Sequence, residues 1–247
     1  HSVGCEDEIL IASLLRMKLI LGSSSVARRK IMEEMGYEFT IMLTEAVTQT
    51  ADIDEKGIRK EQPEELVMAL AEAKANAIIS KLQNLDKEGK GIEATLLIAA
   101  DTAEAIIPRI QLGDTKEDAK AALLITCDQV VVYEGMVREK PSSKEEARRF
   151  IKDYSGRHAA TVSSVLLTNL KTGLRKGHWD KVEIYFHEIP DEIVDKLIEE
   201  GTVLYVAGGL IIEHPLVLPY VKEVVGTTDS VMGLPKALTE RLIKEVL

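Results

Sequence analysis

Cysteine is scarce in this chain, and an excess of positive charge is missing altogether. Cys5 and Cys127 are the two cysteines in 247 residues, with neither close pairing nor metal-ligand spacing, which fits a reducing compartment and a cytoplasmic location. Cys127 stands in an apolar run and reads as a small buried hydrophobe rather than a reactive thiol. The formal net charge of −10 argues against a nonspecific nucleic-acid binder, whose affinity rests on many Lys and Arg contacts to phosphates. No apolar stretch approaches the roughly 18 residues needed to span a bilayer. The first residues are acidic at Glu6, Asp7 and Glu8, the wrong sign for a secretory or mitochondrial leader. Histidine pairs at metal-ligand spacing are lacking too. His158, His178, His187 and His214 each read as structural or surface residues, with His214, after Glu213 and near Gly208-Gly209, the one to watch. Trp179 reads as a loop anchor where a strand begins, and Lys144, Arg148 and Arg149 as a solvated helix face.

What is present begins at Leu19. The run to Arg29 reads Leu-Ile-Leu-Gly-Ser-Ser-Ser-Val-Ala-Arg-Arg: an apolar strand, a hydroxyl-rich turn, then two arginines opening a helix. Free backbone N–H groups and the positive dipole end at a helix start favour an anion, and Ser and Arg add oriented donors. Arg28 and Arg29 lie about 100° apart around a helix, so at most one faces a ligand squarely. A helix N-cap with surface arginines is the plainer reading of the same residues.

Downstream, Asp128 interrupts the apolar run from Leu123 to Val132. A lone carboxylate in such a run must be paired, protonated or bound to a cation, because burying an uncompensated charge costs several kcal/mol. Between these segments lie Ala51-Asp52-Ile53-Asp54-Glu55 and Leu70-Ala71-Glu72-Ala73-Lys74-Ala75. They supply carboxylates for a hard divalent cation and an amine for phosphate. Lys74 shares a helical stripe with Leu70 and Ala77, so it points to the apolar side.

Taken in order, these pieces resemble the Maf family of nucleoside triphosphate pyrophosphatases. The resemblance is carried by Ser23-Ser24-Ser25 with Arg28 and Arg29, by the run ending at Glu55, and by the stretch around Lys74. It continues through Asp128-Gln129-Val130-Val131, Glu139-Lys140-Pro141, Tyr154-Ser155-Gly156, Ala207-Gly208-Gly209 and Val231-Met232-Gly233-Leu234-Pro235. It implies an elongated mixed α/β sheet with flanking helices, in two lobes around a central cleft. It also implies cleavage between the α and β phosphates of a nucleoside triphosphate to a nucleoside monophosphate and pyrophosphate, with a divalent metal cation, Mg²⁺ or Mn²⁺. Asp128 would be the general base, also touching the metal. Glu55 would be a metal ligand, with Asp54 the weaker alternative. Ser23, Ser25, Arg28, Arg29, Lys74 and Lys140 would hold the phosphates. Ala27, Gln129 and Glu213 correspond to the positions that sort the family by base. Gln129 and Glu213 match the group acting on 7-methyl-GTP and related nucleotides, and Ala27 matches neither group. Family members tend to be homodimers. The competing reading is a nucleotide-binding regulator of cell division without turnover.

Periodicity and caps give the coarse elements. Strands are expected over 18–22, 39–43, 123–133, 161–169 and 181–186, with hairpin turns at Glu134-Gly135 and Lys171-Thr172-Gly173. Helices are expected over 26–35, 63–82, 144–154, 190–199 and 235–247, with Gly36 and Gly201 as stops and a capping box of Ser143 with Glu146. Strand–helix alternation followed by adjacent antiparallel strands implies a mixed α/β sheet.

Residues 1–16 read as an extension before a domain spanning 17–247, interrupted over 84–120. Within the interruption Leu96 to Asp101 echoes Leu123 to Asp128. Asp128 is the better catalytic candidate, because a β-branched run, a tight turn and Lys140-Pro141 follow it. Asp101 is followed by Ala-Glu-Ala and Pro108, a poor strand continuation.

Overall fold

A computed structural model of the chain describes residues 18–41, 57–87 and 122–247. Its centre is a seven-stranded mixed sheet, as the alternation of elements implies. The short parallel strands β1 (Lys18–Leu21) and β2 (Phe39–Ile41) flank the helix α1 (Val26–Glu34) in sequence. The long helix α2 (Pro63–Lys87) follows, then β3 (Ala122–Tyr133) and β4 (Met136–Arg138). The second half runs α3 (Lys144–Tyr154), β5 (His158–Asn169), β6 (Arg175–Phe186), α4 (Asp191–Glu200), β7 (Val221–Val225), α5 (Thr228–Val231) and α6 (Lys236–Val246). Across the sheet the order is β2-β1-β3-β5-β6-β7, with β4 pairing β3. β1 pairs β3 in parallel, whereas β3, β5, β6 and β7 pair as antiparallel neighbours.

Local chemistry explains most boundaries. β3 and β4 join through Glu134 and Gly135, both at positive φ (47° and 78°), the two-residue hairpin geometry that matches strand twist. Ser143 caps α3 by accepting from the Glu146 N–H at 3.1 Å. The return half of the expected capping box is different: the Glu146 carboxylate accepts from both the backbone N–H and the hydroxyl of Ser142 at 2.8 Å each. Ser142 offers two donors to one oxygen, where Ser143 would offer one.

Several expectations change in extent, among them β5, which starts at His158 rather than at 161. α2 runs past Leu82 to Lys87, with Glu64 and Glu65 in its first turn and Lys87 in its last, charges that suit the helix dipole. Asn84–Lys87, the first residues of the expected interruption, continue this helix, because nothing in Gln83-Asn84-Leu85-Asp86-Lys87 breaks it. β6 starts at Arg175, well before Lys181, since β5 opposite offers a continuous ladder from Thr168 to His158. That places Trp179 in mid-strand, paired with Ser164, rather than at a strand's beginning. Residues 1–16, 42–43 and 88–120, including Asp101, lie outside the described residues, as does Cys5.

The sheet is covered on both sides. Leu66, Val67, Leu70, Ala71, Ala75 and Ile78 of α2 are buried against β1, β3 and β5 on one side. On the other, α1 and α6 pack on Leu19, Leu21, Leu123, Ile125, Val165 and Leu167, and α3 with α4 covers the far end. Along β3 the alternation is strict: Thr126, Asp128 and Val130 face α2, while Cys127 and Val131 face away.

Candidate active site

β3 loses a neighbour in its middle. β1 accompanies it as far as Leu21 opposite Ile125, and β4 joins only at Val131. Between them, residues 126–130 have, among the described residues, a strand partner on the β5 side alone. This gap lies beyond the carboxyl end of β1, the position where open parallel sheets hold their ligands. The chain fills its rim by turning from β1 through Gly22 into α1, with the Gly22 N–H donating to the Ile125 carbonyl at 2.8 Å. A Cβ on Gly22 would lie 2.7 Å from Ile78 Cδ1 and 3.0 Å from Thr126 Cγ2, so a side chain there would push Ile78 and Thr126 aside.

The turn is organised by its serines and by one arginine. Ser25 caps α1, accepting from the Arg28 N–H at 3.3 Å, and donates its own N–H to Ser23 Oγ at 3.2 Å. α1 has no acidic residue in its first turn, so no carboxylate of its own offsets its positive end, a kind of helix start that favours an anion. Arg28 reaches back: Nη1 donates to Ser23 Oγ (3.3 Å) and to the Cys127 carbonyl in the gap (3.4 Å). Its Nε donates to the Gly233 carbonyl at 2.8 Å. Gly233 has φ +101°, and a Cβ there would meet Arg28 Nε at 3.0 Å, so this contact requires glycine twice over. Arg29 does not share these contacts. Its Nε is buried and unpartnered among the described residues, in keeping with the rotation between successive helix positions. Ala27, between Val26 and Arg28, is half-buried.

On the α2 face of the gap Asp128 has the partner its burial demands. Lys74 Nζ lies 2.6 Å from Asp128 Oδ1, with both side chains 14% exposed. The two come from elements joined by buried hydroxyls. Ser164 on β5 accepts the Asp128 N–H at 3.1 Å and donates to the Val67 carbonyl of α2 at 2.7 Å. Thr126 donates to the Ala71 carbonyl at 2.9 Å. Cys127, between Thr126 and Asp128, is wholly buried, and burial pushes its thiol up, which keeps it unreactive.

On the opposite face Gln129 is held by its amide nitrogen. Nε2 donates to Ser163 Oγ (2.8 Å) and to the carbonyls of Ser230 (3.1 Å) and Val231 (2.8 Å). Ser163 also donates to the Ser230 carbonyl at 3.0 Å. Consecutive serines of β5 thus tie the sheet to both of its covers. These hydroxyls, with Thr126, are missing from the residues singled out in the sequence. The signal was the one that exposed Asp128: polar groups inside the apolar runs 123–132 and 159–167.

The remaining candidates are spread more widely. Lys140 is exposed on the loop after β4, where the Glu139 carbonyl accepts the Gly208 N–H at 2.9 Å. Glu213 is exposed. His214, flagged by its neighbourhood, serves its own loop: Nε2 contacts Glu200 at 2.8 Å and Nδ1 accepts from the Leu216 N–H. Asp54 and Glu55 lie outside the described residues. Among the described residues no group of three or more His, Cys, Asp and Glu could hold a metal by itself.

Comparison with known proteins identifies the family. The sequence matches the family described as Maf-like protein over residues 18–246. It is 34% identical over 228 residues to a 7-methyl-GTP pyrophosphatase of Dictyostelium discoideum, covering 92% of this chain and 96% of that one. A dTTP/UTP pyrophosphatase of Agathobacter rectalis is 25% identical over 93% of this chain and 96% of its own length. A nucleoside triphosphate pyrophosphatase of Salinispora tropica is 24% identical, over 94% and 85% respectively. With the match running through every described element from β1 to α6, this chain belongs to the Maf family.

Proposed function

We propose that the chain hydrolyses the α–β phosphoanhydride of a nucleoside triphosphate, releasing a nucleoside monophosphate and pyrophosphate. One observation carries this reading: a carboxylate at a break in strand pairing, 2.6 Å from an ammonium and beside a serine-capped helix start. Hydrolysis of a phosphoanhydride needs neutralised phosphates and a positioned water. Ser23, Ser25, the first N–H groups of α1, Arg28, Arg29 and Lys140 are the donors for the phosphates. Lys74 occupies Asp128 Oδ1, so Oδ2 is the oxygen that takes the proton lost by the attacking water as the P–O bond breaks.

A divalent cation fits this donor set. Mg²⁺ is commonly held by one or two carboxylates together with substrate phosphates; Asp128 stands near the serine turn as one carboxylate, and Glu55 is the second that the family resemblance implies. Bound there, Mg²⁺ or Mn²⁺ would neutralise charge on the phosphates.

The reading extends to the base. Because the Gln129 amide nitrogen is spent on three protein acceptors, its Oε1 is left to accept, and Glu213 accepts as a carboxylate. Two acceptors select a base edge rich in N–H donors, such as that of guanine, in line with the 7-methyl-GTP pyrophosphatase among the relatives. The reading also takes the protein to be a cytoplasmic homodimer; among the described residues no helix is long and apolar enough to cross a membrane.

The test is a pyrophosphate-release screen over 7-methyl-GTP, GTP, dTTP and UTP with Mg²⁺ or Mn²⁺. Turnover fastest with a guanine nucleotide is expected. Nucleotide binding without pyrophosphate from any of them would favour the regulator instead.

A further inference from the structure

The geometry points to Thr126 and Ser164 as positioning residues of the reaction: their hydroxyls set the register of α2 on the sheet and so hold Lys74 against Asp128. The inference rests on the hydrolytic reading of the site above. Three contacts carry it, laid out in two matching rows. On α2, Val67, Ala71 and Lys74 follow the i, i+4, i+7 spacing that keeps one helical stripe facing one way. On the sheet, Thr126 and Asp128 share a face of β3, and Ser164 is the direct cross-strand partner of Asp128 on β5. Ser164 takes the Val67 carbonyl, Thr126 the Ala71 carbonyl, and Asp128 the Lys74 ammonium.

Apolar packing cannot fix this register alone. The buried Leu, Val, Ala and Ile contacts between α2 and the sheet are non-directional and aim no particular atom at another. Two hydrogen bonds to helix carbonyls one turn apart do, and a shift of one residue moves the helix about 1.5 Å and turns it by about 100°. Both hydroxyls are wholly buried, and both are spent on the helix. Ser164 has a second task, because it also accepts the Asp128 N–H and so fixes the backbone that carries the carboxylate. Elsewhere in β5 the buried hydroxyls of Thr161 and Thr168 have no partner among the described residues, so a buried hydroxyl in this strand does not dock a helix by default.

The experiment compares Thr126→Val, Ser164→Ala and the double variant with Thr126→Ser, which keeps the hydroxyl, and Thr168→Val, which removes an unpartnered one. In pyrophosphate release, each single loss is expected to lower kcat about 10-fold and the double about 100-fold, the scale for a displacement near 1 Å, with KM within about twofold. Thr126→Ser should recover most of the rate, and Thr168→Val should match the parent. If Ser164→Ala does not fold, the isosteric Thr126→Val decides alone. A second readout does not need turnover: after reductive methylation with ¹³C, the Lys74 signal, identified by its loss in Lys74→Arg, should move toward that of exposed lysines in the variants. An unchanged kcat in the folded variants, an equal loss in Thr168→Val, or an unmoved Lys74 signal would overturn the assignment. Should the parent protein cleave no nucleotide, the hydrolytic reading fails, and the Lys74 signal still settles whether these hydroxyls hold the pair together.

Discussion

Lys74 and Arg138 are both cations drawn under the surface to a carboxylate, yet their surroundings differ in kind. Arg138, on β4, is 8% exposed and pairs with Asp153, which is 35% exposed. Its guanidinium lies 4.2 Å from the ring centre of Tyr133 and 4.4 Å from that of Phe150, and it also donates to the Phe150 carbonyl. A surface pocket of about 520 Å³ opens beside it, but the pocket's charges are answered in pairs, Arg138 by Asp153, Arg149 by Glu146 and Arg157 by Glu134. Lys74 and Asp128 instead meet where β3, among the described residues, has a strand on one side only, next to a helix start with no acid in its own first turn. Burial and pairing are common to both. What sets the Lys74–Asp128 pair apart is the stretch of β3 beside it that, among the described residues, has one strand partner, and the serine-capped helix start next to it.

The sharpest way to break this contrast is Asp128→Asn. It should lower kcat by about 10² to 10⁴, the contribution of a positioned base, while nucleotide binding persists in a titration with a non-hydrolysable analogue. Arg138→Met should do the reverse. Urea unfolding is expected to show a loss of about 2 to 3 kcal/mol, below the range for a fully buried pair because Asp153 is partly solvated, with kcat of the folded protein unchanged. A fall in kcat would move Arg138 from brace to site.

Next comes Tyr154→Phe, which deletes a hydroxyl donated to the Gly208 carbonyl at 2.8 Å and should cost about 1 kcal/mol by the same assay. Burial, its largest influence, pushes the Tyr154 hydroxyl up to about 12. Stability from keeping it neutral is therefore complete below about pH 10 and lost as pH rises toward 12, so the variant should show a shallower alkaline fall. The smallest effect is expected at the exposed Lys236–Glu34 pair between α6 and α1. Its hydrogen bond to Lys236 holds Glu34 below the usual carboxylate range, so its contribution is present above that range and fades as pH falls through the lowered value. Lys236→Met should shift Tm by no more than about 2 °C at neutral pH.

Local signals were readable in the sequence where one residue type decides the geometry. The Glu134-Gly135 hairpin, the Ser143 cap and the Ser25 cap are of this kind. The polar half of β6 was not, because Arg175 to Lys181 lacks alternation and is held in the ladder by β5. In the site, Asp128 and Lys74 stood out as charges in apolar settings, but their pairing across 54 positions did not. Thr126, Ser163 and Ser164 passed as ordinary strand residues, since a hydroxyl shows its partner only once a helix is laid over it.

The contact from Arg28 to Gly233 joins residues 205 positions apart. The serine turn and the carbonyl that holds its arginine are therefore brought together only when distant parts of the chain have folded onto one another. Until then the guanidinium is untethered, and a closure over so long a span is of the kind that slows folding.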